Sequence, residues 1–357
     1  MSEELKTYKC PNCNGAISFD AHSQQLVCPS CGTSLNVDDV IAFNQIDGEQ
    51  AQDHFDWDDI EFPSLEEDGM VTYVCDACGG EIIGDHSLAS SSCPYCGNHV
   101  IIEKQFQGLL KPNYILPFKY DKDEAKKKMK EHLKGKPLLP KSFTNNFKLS
   151  KISGLYVPYW LFDCEATASF KYRAERSTTY RQGDYLITNV DHYLLYREGY
   201  MDFSKVPVDG SSKLEAEVLE AIEPFDFSEL KPFKAAYLQG YLSDRFDADA
   251  KSAKPRANER IRNSITEEIA KTTTSYQMVV PTQAAVSLND NQVAYALLPV
   301  WILHTQYKGK DYRFAMNAQT GKFVGDLPID YKKFVLIVLM TFVITALVVG
   351  LFMYFSL

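Results

Sequence analysis

The feature that most constrains this chain is a cysteine pattern written twice. Cys10, Cys13, Cys28 and Cys31 read C-x2-C-x14-C-x2-C, and Cys75, Cys78, Cys93 and Cys96 repeat it 65 positions later. That spacing suits a tetrahedral metal: one CxxC turn sets two thiolates about 2.3 Å from the ion, and a short hairpin brings the second turn across. Gly32 and Gly97 follow the last cysteine of each cassette, while Asn14 and Gly79 follow the second. Gly and Asn tolerate the positive φ that turns backbone N–H groups towards sulfur. Four matched pairs point to metal rather than to redox thiols, which would need one CxxC opening a helix in a βαβ unit. Two structural Zn²⁺ ions are expected, one per four-cysteine site. Iron is the rival metal. A site closed by four thiolates has no open position for catalysis and substitutes for a core too small to fold alone.

Eight of the nine cysteines sit in these pairs, leaving Cys164 as a buried, inert thiol. "MSEELKTYK" has no apolar h-region, so no secretory signal is expected and the cysteines belong to a reducing cytoplasm.

Cassettes of this kind often bind nucleic acid, but the charge here argues against it. The net charge is −10, and residues 69–103 contain no Lys or Arg. A zinc with four thiolates adds further negative charge. Phosphate binding needs clustered cations, so nucleic acid is not expected as a partner. Residues 38–69 read as an acidic linker, with twelve acidic residues and no Lys or Arg between Asp38 and Asp68. Phe55, Trp57, Ile60, Phe62 and Leu65 are interleaved with the acids. The segment is either a solvated linker or one that orders on a partner.

The other end of the chain is apolar. Residues 334–355 carry no charge; as a helix they span about 33 Å, close to the thickness of a bilayer core. Thr341 and Thr345 can satisfy their hydroxyls on their own helix. Lys332 and Lys333 flank the start and should stay cytoplasmic. Residues 331–357 therefore read as a transmembrane tail anchor in the cell membrane, with the body on the cytoplasmic side and the lipid bilayer as a partner of 334–355.

Between these ends, residues 104–330 read as a mixed α+β body. "LYVPYWLF" and "LLPVWILH" align Pro158 and Trp160 with Pro299 and Trp301, a weak internal duplication. Proline belongs at a strand edge or start. "KDEAKKKMKEHLKG" predicts a helix with Ala125, Met129 and Leu133 on one stripe and a stop at Gly135; "NERIRNSITEEIAK" predicts another, striped by Ile261, Ile265 and Ile269. A hairpin should turn at Gln319–Gly321. The lysines from Lys122 to Lys151 form the one basic area, either a solvated face or one drawn to anionic lipid through Lys126, Lys127, Lys128 and Lys130.

No catalytic pattern emerges. The GK pairs at Gly135, Gly309 and Gly321 are followed by Pro, Asp and Phe, which removes a P-loop, and neither GxSxG nor HExxH occurs. His192 and His304 read as structural histidines. No catalytic or small-molecule site is assigned.

The paired cassettes, "YVPYWLF", "LPVWILHTQYKGKDYRFAMNAQTGKFVGDLP" and the terminal apolar run together resemble the YdjG-like, TFIIB-type zinc-ribbon membrane proteins of Firmicutes. The resemblance covers essentially the whole chain. It implies zinc ribbons at 1–37 and 70–103 and an adaptor role beside phage-shock-type and SPFH-type scaffold membrane proteins. It fixes no ligand beyond the eight cysteines. The expected protein is thus a non-enzymatic membrane scaffold. A membrane-tethered nucleic-acid binder, and an enzyme with an unrecognised site in the body, are the alternatives.

Overall fold

Aromatic and β-branched segments form strands, two of them thirty residues long or more, and the striped segments form helices. The structure is a computed structural model, and it describes residues 8–10, 15–37, 40, 53–57, 62–63, 70–85, 93–96, 98, 101–104, 110–146 and 152–356. The first strands are β1 (Ser18–Asp20), β2 (Gln25–Val27), β3 (Ser34–Leu35), β4 (Met70–Cys75), β5 (Glu81–Asp85), β6 (Ile101–Lys104) and β7 (Tyr114–Ile115). Helices α1 (Lys122–Leu133) and α2 (Lys141–Asn146) lead into the long strands β8 (Ile152–Gln182) and β9 (Tyr185–Asp209). Then come α3 (Ala216–Ala221), β10 (Lys231–Pro232), β11 (Leu242–Asp244), α4 (Ala250–Lys271), β12 (Met278–Tyr307), β13 (Lys310–Asn317), β14 (Phe323–Gly325) and α5 (Tyr331–Ser356). Helices and a mixed sheet make the fold α+β.

The chain divides into two units. One holds 1–60, 161–207 and 254–293; the other holds 61–160, 208–253 and 294–357. The body expected as one domain over 104–330 is therefore shared between both, and the second cysteine cassette belongs to the second unit.

That second unit is built on a sheet ordered β10-β7-β12-β8-β11-β5-β4-β6. Its centre has matching halves. β7 runs parallel to β12 with Tyr114 opposite Ala296, and β11 runs parallel to β8 with Leu242 opposite Leu155. Ala296 and Leu155 each stand three residues before the proline of their Pro-x-Trp segment. Outside them, β10 pairs antiparallel to β7 and β5 antiparallel to β11. The second cassette, through β5, therefore fills on one side the place that β10 fills on the other. Through that pairing the described strands of the second cassette continue the sheet of the second unit.

Pro158 and Pro299 lie inside long central strands, not at an edge or start. Their tolerance has a local cause. Gly210 N–H donates to the Pro158 carbonyl at 2.9 Å and Ala318 N–H to the Pro299 carbonyl at 3.0 Å. Gly210 and Ala318 each follow the last residue of a strand, β9 and β13. Each proline thus stands where a neighbouring strand has just ended. The paired tryptophans have matching anchors: Trp160 Nε1 donates to the Ala248 carbonyl and Trp301 Nε1 to the Tyr120 carbonyl, both at 2.9 Å.

Helix α1 begins with a capping box. Asp121 accepts from the N–H groups of Asp123 and Glu124, and Glu124 accepts from Asp121 N–H. Ala125 and Met129 are buried, half-buried Leu133 packs beside them, and Gly135 follows the helix at φ +73°. The hairpin at residues 318–320 is held by buried amides. Asn317 Nδ2 donates to the carbonyls of Ile222 and Pro224, and Gln319 accepts from Asp226 N–H and donates to Asp226 O. These polar residues of "AMNAQTGKF" are thereby committed to backbone satisfaction.

In the first unit, the buried face of α4 carries Ile261, Ile265 and Ile269. Residues 53–57 of the acidic segment are ordered there rather than solvated. His54 bridges Ser287, accepting from Leu288 N–H and donating to the Val286 carbonyl. Asp53 pairs with Arg262, and Asn291 donates to the Asp56 carbonyl. Trp57 is 5% exposed, packs edge-on against Phe162 at 4.8 Å and donates to Asn258 Oδ1 at 2.7 Å. Burying that ring contributes roughly 2–3 kcal/mol. Residues 53–57 therefore dock on their own chain. In the second unit, Phe62 packs on Trp160 at 5.2 Å. Ile60 and Leu65 lie outside the described residues.

Among the described residues one helix, Tyr331–Phe355, is long and apolar enough to cross a membrane, and none of its most apolar window is buried. Thr341 bonds to the carbonyls of Ile337 and Val338, and Thr345 to that of Thr341.

Candidate metal centres

Each CxxC turn is a local backbone device. In all four, the first cysteine's N–H donates to the carbonyl five residues later: Cys10 to Gly15, Cys28 to Thr33, Cys75 to Gly80 and Cys93 to Asn98, at 2.8–3.0 Å. Two turns also return a bond, from Gly32 N–H to the Cys28 carbonyl and from Gly79 N–H to the Cys75 carbonyl. Gly32 and Gly79 have φ of +72° and +69°, where a side chain would be strained. Asn14 and Gly97, assigned the same role from sequence, lie outside the described residues.

The turns bring the thiols together. Cys75, Cys78, Cys93 and Cys96 place all four sulfurs within 4.8 Å of one another. Cys75–Cys96 and Cys78–Cys93 are each 3.6 Å apart. Cys10, Cys28 and Cys31 form a matching cluster, with Cys10–Cys31 at 3.6 Å. Cys13 lies outside the described residues. A tetrahedron with 2.3 Å metal–sulfur bonds has edges of about 3.8 Å, so these separations fit a four-thiolate site. They are far too long for disulfides, and none of these cysteines is in a disulfide. The donor set suits zinc or iron.

Backbone donors favour the thiolate form of these sulfurs, and burial opposes it. Burial pushes the Cys75 thiol up, but the N–H groups of Cys78 and Ala77, together with the Cys96 and Cys78 thiols, leave it below its ordinary range. In the second turn burial dominates and holds Cys93 well above its range, although the N–H groups of Cys96 and Tyr95 act the same way. A bound cation would draw both into the thiolate form.

The two sites sit differently. Around the first, β1, β2 and β3 form a small sheet paired within itself. Around the second, β4 pairs with β5 and β6, and β5 continues to β11. Tyr95, inside the second knuckle, is buried with its ring over Gly80, where a Cβ would meet it at 2.6 Å. Its neighbour Asp244 is fully buried, with Lys213 Nζ at 4.0 Å. Sequence reasoning missed this carboxylate, because one Asp in "YLSDRF" carries no burial signal.

The other candidates resolve simply. Cys164 is buried, which pushes its thiol up to about 12, with Asp163 adding to the effect. His192 lies 3.2 Å from Glu175 on the surface, and His304 lies 3.8 Å from Asp311. Among the described residues, the groups able to hold a metal through three or more such side chains are the two cysteine clusters.

The chain is 31% identical over 330 residues to the uncharacterized protein YdjG of Bacillus subtilis (strain 168), covering 92% of this chain and 91% of the relative. The chain belongs to the YdjG family. No family model matches it, and no solved structure matches it. Both cysteine clusters and the apolar C-terminal helix thus sit in a chain that aligns with this relative over nearly its full length.

Proposed function

We propose that this protein is a membrane-anchored adaptor whose two cysteine sites hold structural zinc and present small surfaces to protein partners on the cytoplasmic side. Helix α5 carries the reading: an uncharged run over residues 334–355, unburied and joined to an ordered body, needs a bilayer to cover it. Four thiolates at tetrahedral separations support a closed site with a folding role. Zinc is favoured because nothing beside the sites suggests electron transfer. The sheet β1–β3 leaves Phe19 53% exposed, an apolar handle for a partner. The lack of Lys and Arg across 69–103 argues for protein partners over nucleic acid. By family resemblance, scaffold membrane proteins of phage-shock or SPFH type are the partners to look for.

The test is gentle purification of the full chain from its own membranes in detergent. Co-purifying proteins are identified by mass spectrometry, and metal and nucleic acid are quantified in the same eluate. Stoichiometric membrane proteins with two zinc ions per chain are expected. Salt-sensitive nucleic acid without a protein partner would overturn the reading.

A further inference from the structure

We propose that the lysine loop between α1 and α2 is a contact surface for anionic phospholipid headgroups, held against the bilayer by the base of α5. This rests on α5 being the membrane anchor.

The loop and the helix base are one bonded piece. Asp330 N–H donates to the Leu138 carbonyl at 2.8 Å, and Lys333 Nζ donates to the Leu139 carbonyl at 3.0 Å. Asp330 Oδ1 caps the helix, accepting from the N–H groups of Lys332 and Lys333. Leu139 is buried in the same core as Met129 and Phe143, so the loop is fixed from beneath. The uncharged run begins at Phe334, directly after the tied Lys333. At 1.5 Å per helical residue, the hydrocarbon boundary falls within a few ångströms of the tie. Tyr331 is 74% exposed there, a ring suited to the headgroup layer.

Charge gives the contact its sign. Residues 122–141 hold eight lysines against three acids, a balance of +5 in a chain of −10, which leaves −15 elsewhere. Such a chain is repelled by an anionic leaflet except where this segment, α1 with its following loop, meets it. The structure also shifts attention along the segment. Lys126 pairs with Asp123, and Lys128 lies over the Tyr120 ring at 4.7 Å. The lysines of the loop tied to α5 are Lys134 and Lys136, with Lys141 opening α2; Lys134 and Lys141 are exposed, and Lys136 is half-buried with its Nζ 3.0 Å from His132 Nε2.

The experiment places the full chain in nanodiscs of phosphatidylcholine, with or without one third phosphatidylglycerol, and follows lysine acylation by mass spectrometry. Lys134, Lys136 and Lys141 should react at least threefold more slowly with phosphatidylglycerol present, and high salt should remove the difference. Exposed Lys251 reports reagent strength. Replacing the three lysines by glutamine should lower co-purifying phosphatidylglycerol at least fivefold. Equal rates in both discs, with the chain inserted, would overturn the lipid contact alone. Failure of the chain to enter discs would overturn the anchor, and the contact with it.

Discussion

Asp244 is the residue whose surroundings say most and whose sequence says least. It sits on β11 with no exposed surface, and burial pushes its carboxyl up to about 6; Lys213 at 4.0 Å offsets only part of this. An acid whose folded pKa lies above its unfolded value is bound more tightly to its proton in the folded state. Its stabilising contribution is therefore full below about pH 4 and is lost as pH rises to about 6. At neutral pH the native chain carries a penalty of roughly 3 kcal/mol. Asp244→Asn should remove it. Urea unfolding should show the variant more stable than the parent by about that amount at pH 8, with the gap closing towards pH 4. A gap independent of pH would show that the carboxylate is not the cause. The cysteines are the opposite case. Their clustering was legible because both partners in each turn lie three positions apart, whereas the surroundings of Asp244 include Tyr95 and Lys213, far away in the chain.

At the scale of elements, local pattern was readable and long-range pairing was not. The stripe of Ala125 and Met129 and the stop at Gly135 were visible because helices repeat within a few residues. That β5 pairs with β11 across some 160 residues left no mark, so two cassettes with one spacing looked equivalent. The difference has a measurable consequence. Cys93→Ser should release one metal and loosen β4, β5 and β11 together, lowering the second unit's melting by roughly 10 °C, a loss of several kcal/mol. Cys28→Ser should also release one metal but leave that transition within about 2 °C, because among the described residues β1–β3 form a sheet of their own. Calorimetry with metal analysis distinguishes the two, and equal losses would mean the first site also supports the second unit. The acidic segment teaches the same lesson. Composition left Asp38–Asp68 as either a solvated linker or one that orders on a partner, whereas residues 53–57 dock on their own chain through a backbone bridge that composition does not encode.

Across the whole molecule, two Pro-x-Trp segments hinted at duplication, and the sheet shows matched parallel pairings in which β7 crosses to β12 and β11 to β8. Sequence could align the segments but not the exchange, because parallel pairing leaves no turn between partners. The tail shows the converse. Its apolar length was evident at once, while its attachment was hidden: the donors Asp330 and Lys333 meet plain backbone carbonyls at Leu138 and Leu139. Cutting the chain after Lys333 keeps those bonds and removes the apolar surface. This form should leave the membrane fraction, stay soluble with both metals bound, and melt as the parent does. Cutting after Pro328 also removes the two ties, each worth about 0.5–1.5 kcal/mol. The shorter form should be less stable by about 1–3 kcal/mol, through loosening of the loop over Phe143. If the chain ending at Lys333 stays with membranes after a high-salt wash, α5 is not the anchor, and the apolar residues exposed elsewhere would have to hold the protein there.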